Sequence, residues 1–312
     1  MIPIILNEWK ILVRNRSIVY VSLVFMLSII SVVWMGNLQS KNQSQAQIAA
    51  EEHIRAQWDN LEPMNPHRAA HYGVYVFKPI SILNSLDDGV SSITGNVLKL
   101  EGHVQNEIVH SEASQSIAIS RFGKLKPSTI MQYMVPLFLI FLSFGSISND
   151  KETGRLKLIA LQGVSLEKLI LSKSLSIWLY GLILLIFSIL LQFLLGSSSA
   201  DFGIRIGFIL ISYGLYYFIV VCLSTYISAS FKNNTSAISL LLATWIMWTI
   251  FLPKIWGNTV EKVHPLPSRQ NFISQMKEDR SKGIDGHNPT DERRSKLKEE
   301  YLARYNVDSL SQ

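Results

Sequence analysis

The 312 residues contain one cysteine, Cys222, so the chain cannot close a disulfide on itself, and cysteine usage says nothing about its compartment. There is no GxxxxGKS/T phosphate loop: Gly123-Lys124 is followed by Leu125, so the sequence offers no phosphate loop for a nucleotide. No HExxH occurs, and there are no internal repeats or long low-complexity tracts. Charged residues are only 17% of the chain and are missing from long stretches, where Gln192 and Lys254 stand near the ends. A carrier driven by ions needs an ionisable relay at membrane depth, so that class is disfavoured. The net charge of +6 is spread around apolar segments and forms no basic face, which argues against a nucleic-acid partner.

What the chain does have is apolar residues in blocks. Hydrophobic residues make up 48% of it and its mean hydropathy is +0.23, more apolar than an ordinary soluble domain. A membrane-spanning helix needs about 20 mostly apolar residues. Segments 17–35, 129–147, 174–195, 206–229 and 236–256 meet that length. Pro136 interrupts the second and removes one backbone hydrogen bond, so a neighbouring helix or side chain has to satisfy the freed carbonyl. The first segment is too long for a signal peptide, and no small-x-small cleavage site follows it, so it reads as a retained anchor.

Lys10, Arg14 and Arg16 precede the first span, which places the N-terminus in the cytoplasm. Segment 37–128 is then extracytoplasmic and 148–173 cytoplasmic. The inner segment carries Lys151, Arg155, Lys157, Lys168 and Lys173. Segment 257–312 falls outside by alternation, although it holds Arg293, Arg294, Lys296 and Lys298.

Residues 1–16 set Ile4, Ile5, Trp9, Ile11, Leu12 and Val13 among Glu8, Lys10, Arg14 and Arg16. The pattern suits an amphipathic helix in the cytoplasmic interface with Trp9 at headgroup depth, and serves equally as a basic topology signal. The inner loop reads NDKETGRLKLIALQGVSLEKLILSKS. Asp150 and Glu152 open a short helix, Leu156, Ile159 and Ala160 follow at helical spacing, Gly163 breaks it, and Ser165 caps a new helix with Glu167 in its first turn.

That loop, from Asn149 to Leu158 and on through Gly163-Val164-Ser165, resembles the loop after the second span of ABC-2 type transporter permeases. The basic start, the large outer segment after one span and the later cluster of spans are similar too. PHRAAHYGVYVFKPISILNSLDDGV and LEGHVQNEI look like the outer domain of a bacterial subgroup grouped with permeases of multicopper-enzyme maturation. The implied fold is a mainly α, polytopic helical membrane protein with a mixed α/β extracytoplasmic domain. The resemblance implies that 148–173 is a coupling element seated on an ABC ATPase, carried by Asp150, Glu152, Gly154, Arg155, Leu156, Leu158, Ile159, Gly163 and Ser165. It also implies a second permease, like or related, with ATP and Mg on the partner ATPase and no cofactor in this chain. Such permeases normally have six spans, so 257–312 is expected to be truncated before a sixth, or completed by a partner helix.

The seven histidines all lie in the segments assigned outside. His67 and His71 are four apart, as two imidazoles on one helix face would be, but no thiolate or HExxH glutamate accompanies them and Pro66 points to a turn. They read as polar residues, and no metal is expected. Asp87-Asp88 reads as a turn closed by Gly89. Segment 37–61 can prolong the first span as a stalk, 73–79 suits a strand, and helices are expected over 269–282 and from Asn288-Pro289-Thr290 to about Tyr305. The function expected is the membrane subunit of an ATP-driven exporter in the bacterial inner membrane, surrounded by membrane lipid. An assembly factor holding a client protein, or a membrane enzyme using the outer histidines, are the alternatives.

Overall fold

In the computed structural model the residues described are 1–81, 83–102, 123–195, 200–279 and 292–306. His103, His110, His287 and the Asn288-Pro289-Thr290 helix start lie outside them. Two compact units divide at Thr249 and Ile250.

Pro3 near its start suits helix α1 (Ile2–Arg14). Asn15 is extended, and its side-chain oxygen accepts from the Ser17 amide at 3.1 Å, which caps α2 (Arg16–Asp59). At 1.5 Å per residue its 44 residues reach about 66 Å, twice the hydrocarbon thickness of a bilayer. The Gln- and Ala-rich stretch therefore continues the first span as a stalk. A short α3 (Pro66–Tyr72) leads into β1 (Val74–Phe77). After α4 (Ser91–Thr94), β2 (Val97–Leu100) pairs antiparallel with β1, with Val74 opposite Leu100. This ribbon is the strand content among the described residues.

The second span changes its helix type just before its proline. A π-helical segment, Ile130–Met134, runs into α5 (Val135–Ser143). Pro136 cannot donate to Gln132, and the Gln132 carbonyl accepts the Tyr216 hydroxyl at 3.2 Å instead. The Tyr217 hydroxyl donates to the Met131 carbonyl at 3.0 Å. A neighbouring helix thus satisfies the freed carbonyl, as the sequence requires. Short helices α6 (Ser148–Glu152) and α7 (Arg155–Leu161) follow, then the long α8 (Leu166–Leu195) and α9 (Ala200–Ser230). The last of the five helical stretches long and apolar enough to cross a membrane is Asn234–Val263. It comprises α10 (Asn234–Ile246), a second π segment Met247–Phe251, and α11 (Leu252–Val263). The chain is a mainly helical, multi-pass membrane protein.

Within the first unit α8 packs on α9, α2 and α5, and α1 lies along α8. Lipid is as apolar as leucine, so close packing and interhelical hydrogen bonds hold such helices together. Val33, Leu139, Leu185, Tyr217 and Val221 are wholly buried at the centre. A Cβ on Gly181 would stand 2.9 Å from Leu139 Cδ1, so glycine lets α8 press against α5. Ser174 and Thr225 hydroxyls meet at 2.8 Å between α8 and α9, and Trp178 Nε1 donates to the Gly214 carbonyl at 2.8 Å. Gly214 and Thr225 of the fourth span thus serve contacts within this chain.

In the second unit α12 (Arg269–Asp279) begins where Ser268 Oγ accepts the Asn271 amide at 3.2 Å. The other helix of this unit among the described residues past α11 is α13 (Glu292–Tyr305).

Candidate functional site

The segment from α5 to α8 folds by a series of helix stops and caps. After α5 ends, the amides of Ile147 and Ser148 both donate to Ser228 Oγ at 3.1 Å, so α9 caps the start of α6. Lys151 Nζ donates to the Ala229 carbonyl, placing a cation on the last turn of α9, where the helix dipole favours it. Gly154 (φ 76°) turns the chain into α7, and Gly163 (φ 81°) turns it out again. The Ser165 hydroxyl then accepts the Lys168 amide at 3.4 Å at the head of α8.

A buried ion cluster holds this arrangement. Asp150 is 3% exposed; its Oδ1 meets Arg155 Nη2 at 2.7 Å and its Oδ2 meets Lys173 Nζ at 2.7 Å. Lys173 also meets Glu8 Oε1 at 3.2 Å and donates to the Ser146 carbonyl at 2.8 Å. An ammonium has three donors, and here each finds an oxygen. Two carboxylates and two cations balance, so α1, α6, α7 and α8 are joined without uncompensated charge.

Helix α7 is apolar on more than one side. Leu156 and Ile159 are half-buried, whereas Leu158 is 62% exposed and Leu161 83% exposed. Lys157 and Glu152 are exposed as well. Helix α1 divides similarly. Ile4, Ile5, Trp9 and Leu12 are half-buried, with the Trp9 ring 5.9 Å from that of Tyr180 on α8. Ile2, Leu6 and Val13 form an exposed apolar stripe, and Lys10, Arg14 and Arg16 are exposed. Trp9 therefore packs on the bundle, and its depth follows from that contact.

The family model described as ABC-2 family transporter protein matches residues 67–261, more than half of the chain. The chain belongs to the ABC-2 transporter family. No curated protein matches the chain. Membership makes it the permease component of an ABC transporter, a class that works with an ABC ATPase.

In this permease the sequence-derived set Asp150, Glu152, Gly154, Arg155, Leu156, Leu158, Ile159, Gly163 and Ser165 lies on one folded segment. Only Asp150 and Arg155 of that set meet as an ion pair. Two partners of the cluster were not legible as such. Lys173 reads as a flanking charge of the third span, and Glu8 as part of an amphipathic pattern. The signal was there: a lysine eight residues into an apolar helix needs a counter-charge. Leu161 is the other omission, and it is the most exposed leucine of α7.

The histidine pair is helical, because Asn65 Oδ1 caps α3 by accepting the Arg68 amide at 2.7 Å, and Pro66 at the first helical position favours the helix over a turn. The His67 and His71 rings lie 4.7 Å apart. Among the described residues they belong to no group of three or more ligating side chains. In the SLDDGV turn, Asp87 Oδ1 accepts the Gly89 amide at 2.6 Å, while Asp88 pairs with Lys126 at 2.9 Å and Lys124 at 3.4 Å.

Gly154 sits in open space, so only its backbone angle resists a side chain. Gly154→Ala is expected to lower stability by about 1 kcal/mol through left-handed strain. Thermal unfolding in detergent measures this, and an unchanged midpoint would show that the turn relaxes freely.

Proposed function

We propose that this permease exports its substrate from the cytoplasm or inner leaflet of the bacterial inner membrane, driven by a separate ABC ATPase that docks on α7. The observation that carries this reading is the exposure of Leu158 and Leu161 on a short helix whose first residue, Arg155, is ion-paired to a buried cluster. An exposed apolar pair on a rigidly held turn suits a partner's groove. Motion of α7 would pass through Arg155 and Asp150 to Lys173 on α8, and through Glu8 to α1. The ATPase holds ATP and Mg and supplies the hydrolysis; this chain contributes the docking surface and the lever.

The orientation rests on charge. Lys10, Arg14 and Arg16 lie at the end of the bundle that also carries Lys151, Arg155, Lys157 and Lys168, and such charges favour the cytoplasmic side. The exposed stripe of α1 then lies among lipid headgroups. A second permease, identical or related, completes the path, with substrate passing between the two.

The test is co-purification. With Leu158→Glu and Leu161→Glu together, recovery of the ATPase is expected to fall by about tenfold or more, the loss of two apolar anchors. Both side chains are exposed, so the fold should persist. ATPase recovery equal to that of the unaltered permease would place the docking surface elsewhere.

A further inference from the structure

At the other end of the bundle from the ion cluster, α2 and the segment after β1 enclose a pocket of about 410 Å³. That volume lies within the range of small-molecule sites, about 300–1,000 Å³. Its floor is polar and preformed. Asn37 Nδ2 donates to Gln192 Oε1 at 3.1 Å, Gln192 Nε2 returns a contact to Asn37 Oδ1 at 3.4 Å, and Gln192 also donates to the Ser85 hydroxyl. Asn37, Gln192 and Ser85 are all buried.

The wall of α2 presents Ser40, Lys41 and Ser44, and the facing segment presents Ser81. Lys41 makes no ion pair among the described residues, and none of the described residues lining the pocket is a carboxylate. Hydroxyl and ammonium donors around one positive charge that has no ion-pair partner among the described residues recognise an anion. The remaining wall is apolar, with Leu195 and Phe202.

Depth says what kind of anion. From Arg16 to Asn37 the helix rises about 32 Å, the full hydrocarbon thickness, and Lys41 stands about 6 Å beyond. The same measure from Lys173 to Gln192 gives about 29 Å. Lys41 and its hydroxyl neighbours therefore lie at headgroup level, and Leu195, about 4.5 Å beyond Gln192 along α8, stands at the same level.

We propose that this pocket binds the phosphate-bearing headgroup of an anionic amphiphile, with Leu195 and Phe202 against the first carbons of its acyl chains. Lys41 neutralises the phosphate, Ser40, Ser44 and Ser81 donate to its oxygens, and the Asn37–Gln192 pair meets the polar end. The site is independent of ATPase docking, and its test uses the permease alone.

The full chain, purified in detergent, is titrated by calorimetry with dihexanoyl phosphatidylglycerol, dihexanoyl phosphatidylcholine, glycerol 3-phosphate and inorganic phosphate. Saturable binding of the phosphatidylglycerol is expected, weaker by about tenfold or more in Lys41→Gln, which removes a charge-assisted contact. Ser81→Leu, which fills the mouth, should weaken it as well. No saturable binding, or binding unaltered by both substitutions, overturns the site. Equal affinity for the phosphatidylcholine overturns the anionic selectivity, and equal affinity for glycerol 3-phosphate or inorganic phosphate assigns the pocket to a free anion.

Discussion

Replacing Lys173 with methionine is expected to cost about 3–5 kcal/mol, because it leaves the buried Asp150 carboxylate without its ammonium partner. Glu8 and the Ser146 carbonyl lose a donor at the same moment. Arg155 remains, but its side chain is 54% exposed, and an ion pair so open to solvent contributes at most about 1 kcal/mol. Arg155→Gln should accordingly shift the unfolding midpoint little. The double substitution Lys173→Met with Asp150→Asn should recover much of the loss, since it removes the orphaned charge together with its partner. Thermal unfolding of the unaltered chain, Lys173→Met, Asp150→Asn and their combination forms a double-mutant cycle. A Lys173→Met chain as stable as the unaltered one would mean that water, and not Asp150, solvates the ammonium.

The cluster also shows where sequence reading stops. The helix break at Gly163 and the cap at Ser165 are local properties, decided within a turn of chain, and so they are legible in the sequence, whereas Gly154 reads as the interior of one helix and in the structure parts α6 from α7. The five apolar stretches are legible for the same reason, since bilayer thickness fixes their length. Pro136 announced an unpaired carbonyl, yet nothing in the sequence named Tyr216 as its donor, because the two residues are 80 positions apart. The approach of Glu8 to Lys173 is longer still in sequence and depends on α1 folding back along α8. The strand Val97–Leu100 is not legible, because four residues are too few to establish an alternating pattern. Leu161 has no signal of its own in the sequence, because its exposure depends on which face of α7 the bundle covers.

Substituting Gly36 by alanine is expected to destabilise the permease, although local helix preference predicts the reverse. Inside a helix, Gly→Ala ordinarily gains about 1 kcal/mol. At Gly36, however, a Cβ would collide with the Ser85 carbonyl oxygen and stand 3.3 Å from Pro127 Cδ. A backbone carbonyl cannot rotate aside as a side chain can. Ser85 must move, and its hydroxyl is the acceptor for Gln192, which in turn holds Asn37. Overpacking at about 1–3 kcal/mol joins the desolvation cost of a buried amide left short of a partner, about 1–3 kcal/mol, for a loss of about 2–6 kcal/mol. Gly207→Ala on α9 is the internal control, because a Cβ there meets nothing within 4 Å and the helix preference should act alone. If Gly36→Ala and Gly207→Ala shift the unfolding midpoint in the same direction, α2 does not press on the Ser85 segment. The floor of the headgroup pocket would then lack the fixed geometry that a preformed site requires.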